Sequence, residues 1–65
     1  MILEEQRKIV LKILRDSLIS YEKGEMSKEA IKALVIVLNN IEREMGIETR
    51  NADYYLNMFQ LREGF

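Results

Sequence analysis

Cysteine, histidine and proline are all missing from this chain, and its three glycines stand far apart. Without cysteine there can be no disulfide and no thiolate zinc site, and without histidine no imidazole ligand, so the common transition-metal clusters are excluded. The same two absences remove most nucleophile and base pairs. Ser17, Ser20, Ser27 and the lysines remain as nucleophiles, yet none has an evident base beside it in sequence, and Ser27 already suits a structural role as a helix cap. The glycines fall singly at helix ends, so no glycine-rich loop exists to cradle a phosphate. Glu42 and Glu44 are two apart and leave a helix on different sides, while Glu4 and Glu5 crowd the start of the chain. A hard-cation site built from Asp53, Asn57 and Glu48 lacks the calcium-loop spacing and reads as a solvated stripe. The expectation is a chain with no enzymatic activity, no cofactor and no metal.

Charge of one sign is also lacking. Ten basic residues face eleven acidic ones, for a net charge of −1, so no overall field draws the protein to nucleic acid or to an anionic membrane. The distribution is only mildly uneven: Arg7, Lys8, Lys12 and Arg15 tilt the first third basic, and Glu42, Glu44, Glu48, Asp53 and Glu63 tilt the remainder acidic. No long hydrophobic run is present either. The longest uncharged stretch, Ala33 to Ile41, contains two asparagines and falls well short of the roughly 20 residues a spanning helix needs. Glu4 and Glu5 place acidic charge where a secretory leader would start basic, which leaves a cytoplasmic setting as the expectation and no role at a membrane.

What the chain does have is helical periodicity. Sixty-five residues make one domain, and a chain of that size buries only about 60% of the surface that its unfolded form exposes. The usual staples of such a small fold are absent, so self-association is the remaining one. From residue 2 to about residue 23, Leu3, Val10, Ile13, Leu14, Leu18 and Tyr21 recur at helical spacing and fill an arc of roughly 200°, opposite Glu4, Lys8, Lys12, Arg15 and Asp16. Ile19 is the one misfit among the charges. Gly24 fits a helix stop, Ser27 an N-cap, and Met26 with Ile31 the spacing of a hydrophobic staple. So short a connection predicts an antiparallel hairpin.

The second helix, about 28–45, is the stretch around which the rest is organised. Its five consecutive apolar residues, Leu34 to Leu38, turn through more than a full circle and must be covered on every side. The expected core stripe is Ile31, Leu34, Val37 or Leu38, Ile41 and Met45, with Val35 and Ile36 outside it. The β-branched residues Val35 to Val37 also suit a strand, but no second such run could pair with one. Gly46 supplies the next stop, with Ile47 placed for an apolar contact. Thr49 and Asn51 are equally good N-caps for a third helix, about 52–62, on which only Asp53, Asn57 and Gln60 form a polar stripe.

The predicted fold is therefore all-α: an antiparallel helical hairpin with a shorter C-terminal helix, a three-helix unit over residues 1–65 completed by dimerisation. Its expected function is that of a small non-enzymatic protein-binding module. The expected form is a homodimeric regulator, inhibitor or adaptor of a larger protein, because three greasy helices offer more apolar surface than one small monomer hides. Val35, Ile36, Tyr55 and Phe59 are the expected contacts with the second copy or partner, and Lys8, Lys12 and Arg15 the exposed recognition face. The competing reading is a helix-turn-helix nucleic-acid-binding regulator, with Asn51, Asn57 and Gln60 reading base edges. It is disfavoured because only Arg50 and Arg62 flank that helix and Asp53 sits on its polar stripe.

Overall fold

The computed structural model describes residues 2–62, with the backbone alone for residues 59–62. Three helices account for nearly all of it: α1 (Leu3–Glu22), α2 (Lys28–Met45) and α3 (Ala52–Arg62), with no strand among the described residues. Local chemistry explains each boundary. Gly24 adopts a left-handed φ of 76°, its N–H donates to the Tyr21 carbonyl at 3.0 Å, and the Glu25 N–H donates to the Ser20 carbonyl at 2.8 Å. That is a Schellman closure, open to glycine because no Cβ opposes a positive φ. Gly46 repeats it at φ 75°, with the Ile47 N–H on the Glu42 carbonyl at 3.0 Å. Ile47 itself stays exposed.

The helix starts are set by side chains. Ser27 Oγ accepts from the Ala30 N–H at 3.2 Å, as an N-cap should, and Met26 packs against the core beneath it. For α3 the choice between two caps is resolved: Asn51 Oδ1 accepts from the Tyr54 N–H at 2.9 Å. Asn51 is the cap.

α1 and α2 pack closely along their lengths and α3 lies against α2 less extensively. The Nε of Arg7, near the start of α1, donates to Glu42 Oε2, near the end of α2, at 3.0 Å. Helices joined by so short a turn and meeting at their far ends are antiparallel, and this pair also sets their register. Leu11, Leu14 and Leu18 fall opposite Leu38, Val35 and Ile31, all seven-residue-type repeats of the kind that line a coiled-coil seam. The core consists of Leu14 and Leu18 from α1, Ile31, Val35 and Leu38 from α2, and Tyr55 and Leu56 from α3. Each fully buried Leu or Ile contributes about 1.5–3 kcal/mol, so this small set carries most of the fold.

The core stripe of α2 needs correcting. Val35 is buried and belongs to it, Val37 is exposed, and Leu34, Ile41 and Met45 are only half-buried. The reason is the placement of α3. Its covering of one flank of α2 moves the buried centre from the line through Leu34 and Ile41 to the line through Ile31, Val35, Leu38 and Glu42. On α1, Ile13 likewise lies outside the core, whereas Ile19 is exposed as expected.

Candidate functional site

Helical geometry sets three stripes of α2 apart from its exposed side, which carries Glu29, Ala33, Asn40, Arg43 and Glu44. One, through Ile31, Val35, Leu38 and Glu42, is buried. A second, through Lys28, Lys32, Ile36 and Asn39, faces the start of α3: Lys28 Nζ stands 3.9 Å from Asp53 Oδ1, and Lys32, Ile36 and Asn39 line an open groove with Asn51 and Ala52. The third, through Ala30, Leu34, Val37 and Ile41, turns to the other side; Leu34 packs against the core at its edge and Val37 is exposed.

The groove between α2 and α3 encloses about 310 Å3 and has a largely apolar lining. Val35 forms part of its floor and Ile36, 60% exposed, one wall. Asn39 contributes a buried Oδ1 without a hydrogen-bond partner, an acceptor that an incoming N–H group could satisfy. Such a cleft can seat an apolar side chain and one donor. Lys32 and Asp53 are the ionisable groups among its described lining residues.

At the far end of the hairpin, Glu42 is 2% exposed, and its Oε1 has no hydrogen-bond partner although its Oε2 holds Arg7. A carboxylate so placed costs several kcal/mol to desolvate unless it is paired, so Arg7, with 36% of its side chain exposed, is what keeps it tolerable. Tyr55 of α3 feels the same environment. Burial pushes its phenol above the ordinary 10.0, Glu42 acts in the same direction, and Arg7 opposes them. Next to it, the Tyr54 ring meets Tyr55 edge-on at 5.3 Å and carries the Arg50 guanidinium at 4.9 Å from its centroid, while Arg50 also bonds Glu48 at 3.0 Å.

The residues expected to meet a partner do not lie together on the surface. Val35 and Tyr55 are buried in the chain's own core, where they support the packing of α3 on α2. Ile36 is exposed at the groove, and the side chain of Phe59 lies outside the described residues. Lys8, Lys12 and Arg15 are all exposed along one side of α1, as their spacing of four and three residues requires, and Lys12 stands 3.6 Å from Asp16. Two of the cations near α3 have carboxylate neighbours, Lys28 with Asp53 and Arg50 with Glu48, while Lys32 lines the groove.

Sequence reasoning missed the Arg7–Glu42 pair. A signal for it existed, because Glu42 continues the 31, 35, 38 stripe by one further step, and Arg7 precedes Leu11, Leu14 and Leu18 in the same way. It missed as well the exposed aliphatic residues Ile9 and Ile13 on α1. Among the described residues no group of acidic side chains is arranged to hold a metal ion, and no helix is long and apolar enough to cross a membrane. No protein-family model, no curated protein and no solved structure matches the chain.

Proposed function

We propose that this chain is a small, non-enzymatic protein-binding module, self-associating and acting as a regulator, inhibitor or adaptor of a larger protein in the cytoplasm. The observation that carries the reading is the amount of aliphatic surface left uncovered by so small a fold. Ile9, Ile13, Ile36 and Val37 are all exposed, so among the described residues the large apolar side chains left outside are comparable in number to those the core takes in. Isolated exposed apolar residues are ordinary, but clusters on both flanks of one helix mark contact surfaces. The α2–α3 groove, with its apolar walls and orphan Asn39 acceptor, suits a side chain and an N–H of another protein.

Nucleic-acid binding gains no comparable support. A helix that reads DNA needs several Arg and Lys beside it for phosphates, and the described cations beside α3 are few: Lys28 and Arg50, each with a carboxylate neighbour, and Lys32. Lys8, Lys12 and Arg15 remain as a secondary face through which charge could steer a partner.

The reading is tested by immobilising the purified chain, identifying what it retains from a cytosolic extract, and titrating each retained protein with wild type and Ile36→Lys. Saturable binding that the substitution weakens at least tenfold, about 1.4 kcal/mol, supports it. Retention of proteins that bind wild type and Ile36→Lys alike, or no saturable binding at all, rejects it.

A further inference from the structure

The flank of α2 that α3 leaves open is continued by α1. α3 covers the α2 flank through Lys28, Lys32 and Ile36. In an antiparallel pair, the α1 flank on the opposite side is the one through Ile2, Gln6, Ile9 and Ile13, with Asp16 at its edge, ending at Ser20. Together with Ala30, Leu34, Val37 and Ile41 it makes a continuous surface across both helices of the hairpin, opposite α3. Ile13 is 46% and Val37 48% exposed, Leu34 and Ile41 are half-buried, and the nearest charges, Asp16 and Glu44, stand one helical step beyond Ile13 and Ile41.

Resting on the protein-binding reading, we propose that this largely apolar face of the α1–α2 hairpin is the seat of a second copy of the chain. The two hairpins pack face to face as a four-helix core, with α3 of each copy on the outside.

Two observations favour a second copy as occupant. The first is area. About 18 residues of α1 at 1.5 Å rise, with helices about 9 Å apart, give a face of roughly 500 Å2, so two apposed copies bury on the order of 1,000 Å2, the lower bound for a specific interface. The second is charge. A face whose charges stand only at its edge, with Asp16 already beside Lys12 at 3.6 Å, can pack its apolar centre on its own copy, whereas a partner selected by charge would need complementary groups that the centre lacks. The consequence for the fold is a second core. The half-buried Leu34 and Ile41 become buried, which provides the staple that a chain without disulfide or metal otherwise lacks.

The decisive experiment is sedimentation equilibrium of the purified full chain, with helicity followed by circular dichroism. Wild type, Ile13→Lys, Val37→Lys and Ile36→Lys are compared. Ile13 and Val37 are half exposed in the single chain, so the lysines leave each monomer folded. The proposal expects a wild-type dimer, loss of about a hundredfold or more in dimer affinity for Ile13→Lys and Val37→Lys, and an unchanged dimer for Ile36→Lys. If the lysine at 13 or 37 also lowers helicity, Ile13→Ser and Val37→Ser take its place, with the same expectation in smaller measure. A wild-type monomer across the accessible range overturns the proposal, as does a dimer that Ile36→Lys dissociates and Ile13→Lys does not. Neither result bears on the larger partner, which the titrations with Ile36→Lys judge separately.

Discussion

Removing Arg7 should be far more damaging than removing the acid it holds. Glu42 is 2% exposed with one carboxylate oxygen unpartnered, and its other oxygen accepts from Arg7 Nε at 3.0 Å. Arg7→Ala leaves that charge in the core alone, which for a fully buried pair costs about 3–5 kcal/mol. Over a third of the Arg7 side chain is exposed, so water reaches the site and the cost falls below that range, to about 2–3 kcal/mol. A chain of this size has roughly 3–5 kcal/mol in total, so the variant should sit close to its unfolding midpoint in water. Glu42→Leu works the other way. It removes the buried charge together with the unpartnered oxygen, and Arg7 turns out into water, so the change should lie within about 1 kcal/mol of wild type or be stabilising. Urea unfolding followed by circular dichroism measures both. With an m-value near the low end of about 1–3 kcal/mol/M, Arg7→Ala should lose on the order of 2 M in midpoint, and adding Glu42→Leu to it should restore most of the loss. A Glu42→Leu variant as unstable as Arg7→Ala would refute the reasoning.

Other substitutions probe the remaining supports. Leu38→Ala should cost about 2–5 kcal/mol, since it opens a cavity at the fully buried centre where α2 meets α1, and a loss under 1 kcal/mol in the same urea assay would remove Leu38 from the core. Asn51→Ala should destabilise α3 by about 1 kcal/mol while Thr49→Ala changes little, because only Asn51 caps the Tyr54 N–H; equal effects would contradict the cap. The Tyr55 phenol is held above 10.0, so between that pH and its folded value the folded chain keeps a proton that the unfolded chain has lost. Its contribution is therefore flat below pH 10.0 and falls as pH rises through that window. Tyr55→Phe should abolish this part of the alkaline loss, and a difference ultraviolet titration of wild type against the variant should show Tyr55 ionising above 10.0.

The helices and their ends were legible because they are written in local chemistry. Gly24, Gly46 and Ser27 act on the backbone within a few residues, and no distant contact is needed to read them. Thr49 and Asn51 could not be separated because either side chain suits a cap, and only the position of the α3 backbone decides. The core stripe of α2 was misread for a different reason. Five apolar residues in a row fit every face, so periodicity could not say whether Val35 or Val37 points inward. The docking of α3 settles that, and it is a tertiary fact. The same docking withdrew Val35 and Tyr55 from the surface and left Ile36 exposed at the groove. Glu42 was overlooked because an acidic residue on a helix normally faces water, although its place in the stripe after Ile31, Val35 and Leu38 was visible in the spacing.

The account stands most directly on which flank of the hairpin meets another chain. The chain holds no cysteine, so a single cysteine placed by Ile13→Cys, Val37→Cys or Ile36→Cys is the sole site for a spin label in each variant. Pulsed dipolar spectroscopy on the labelled chains then measures the distance between copies. The account predicts short, narrow distances for the labels at 13 and 37 and a longer one for the label at 36. Absence of a dipolar signal at 13 and 37, or a shorter distance at 36 than at either, would contradict it.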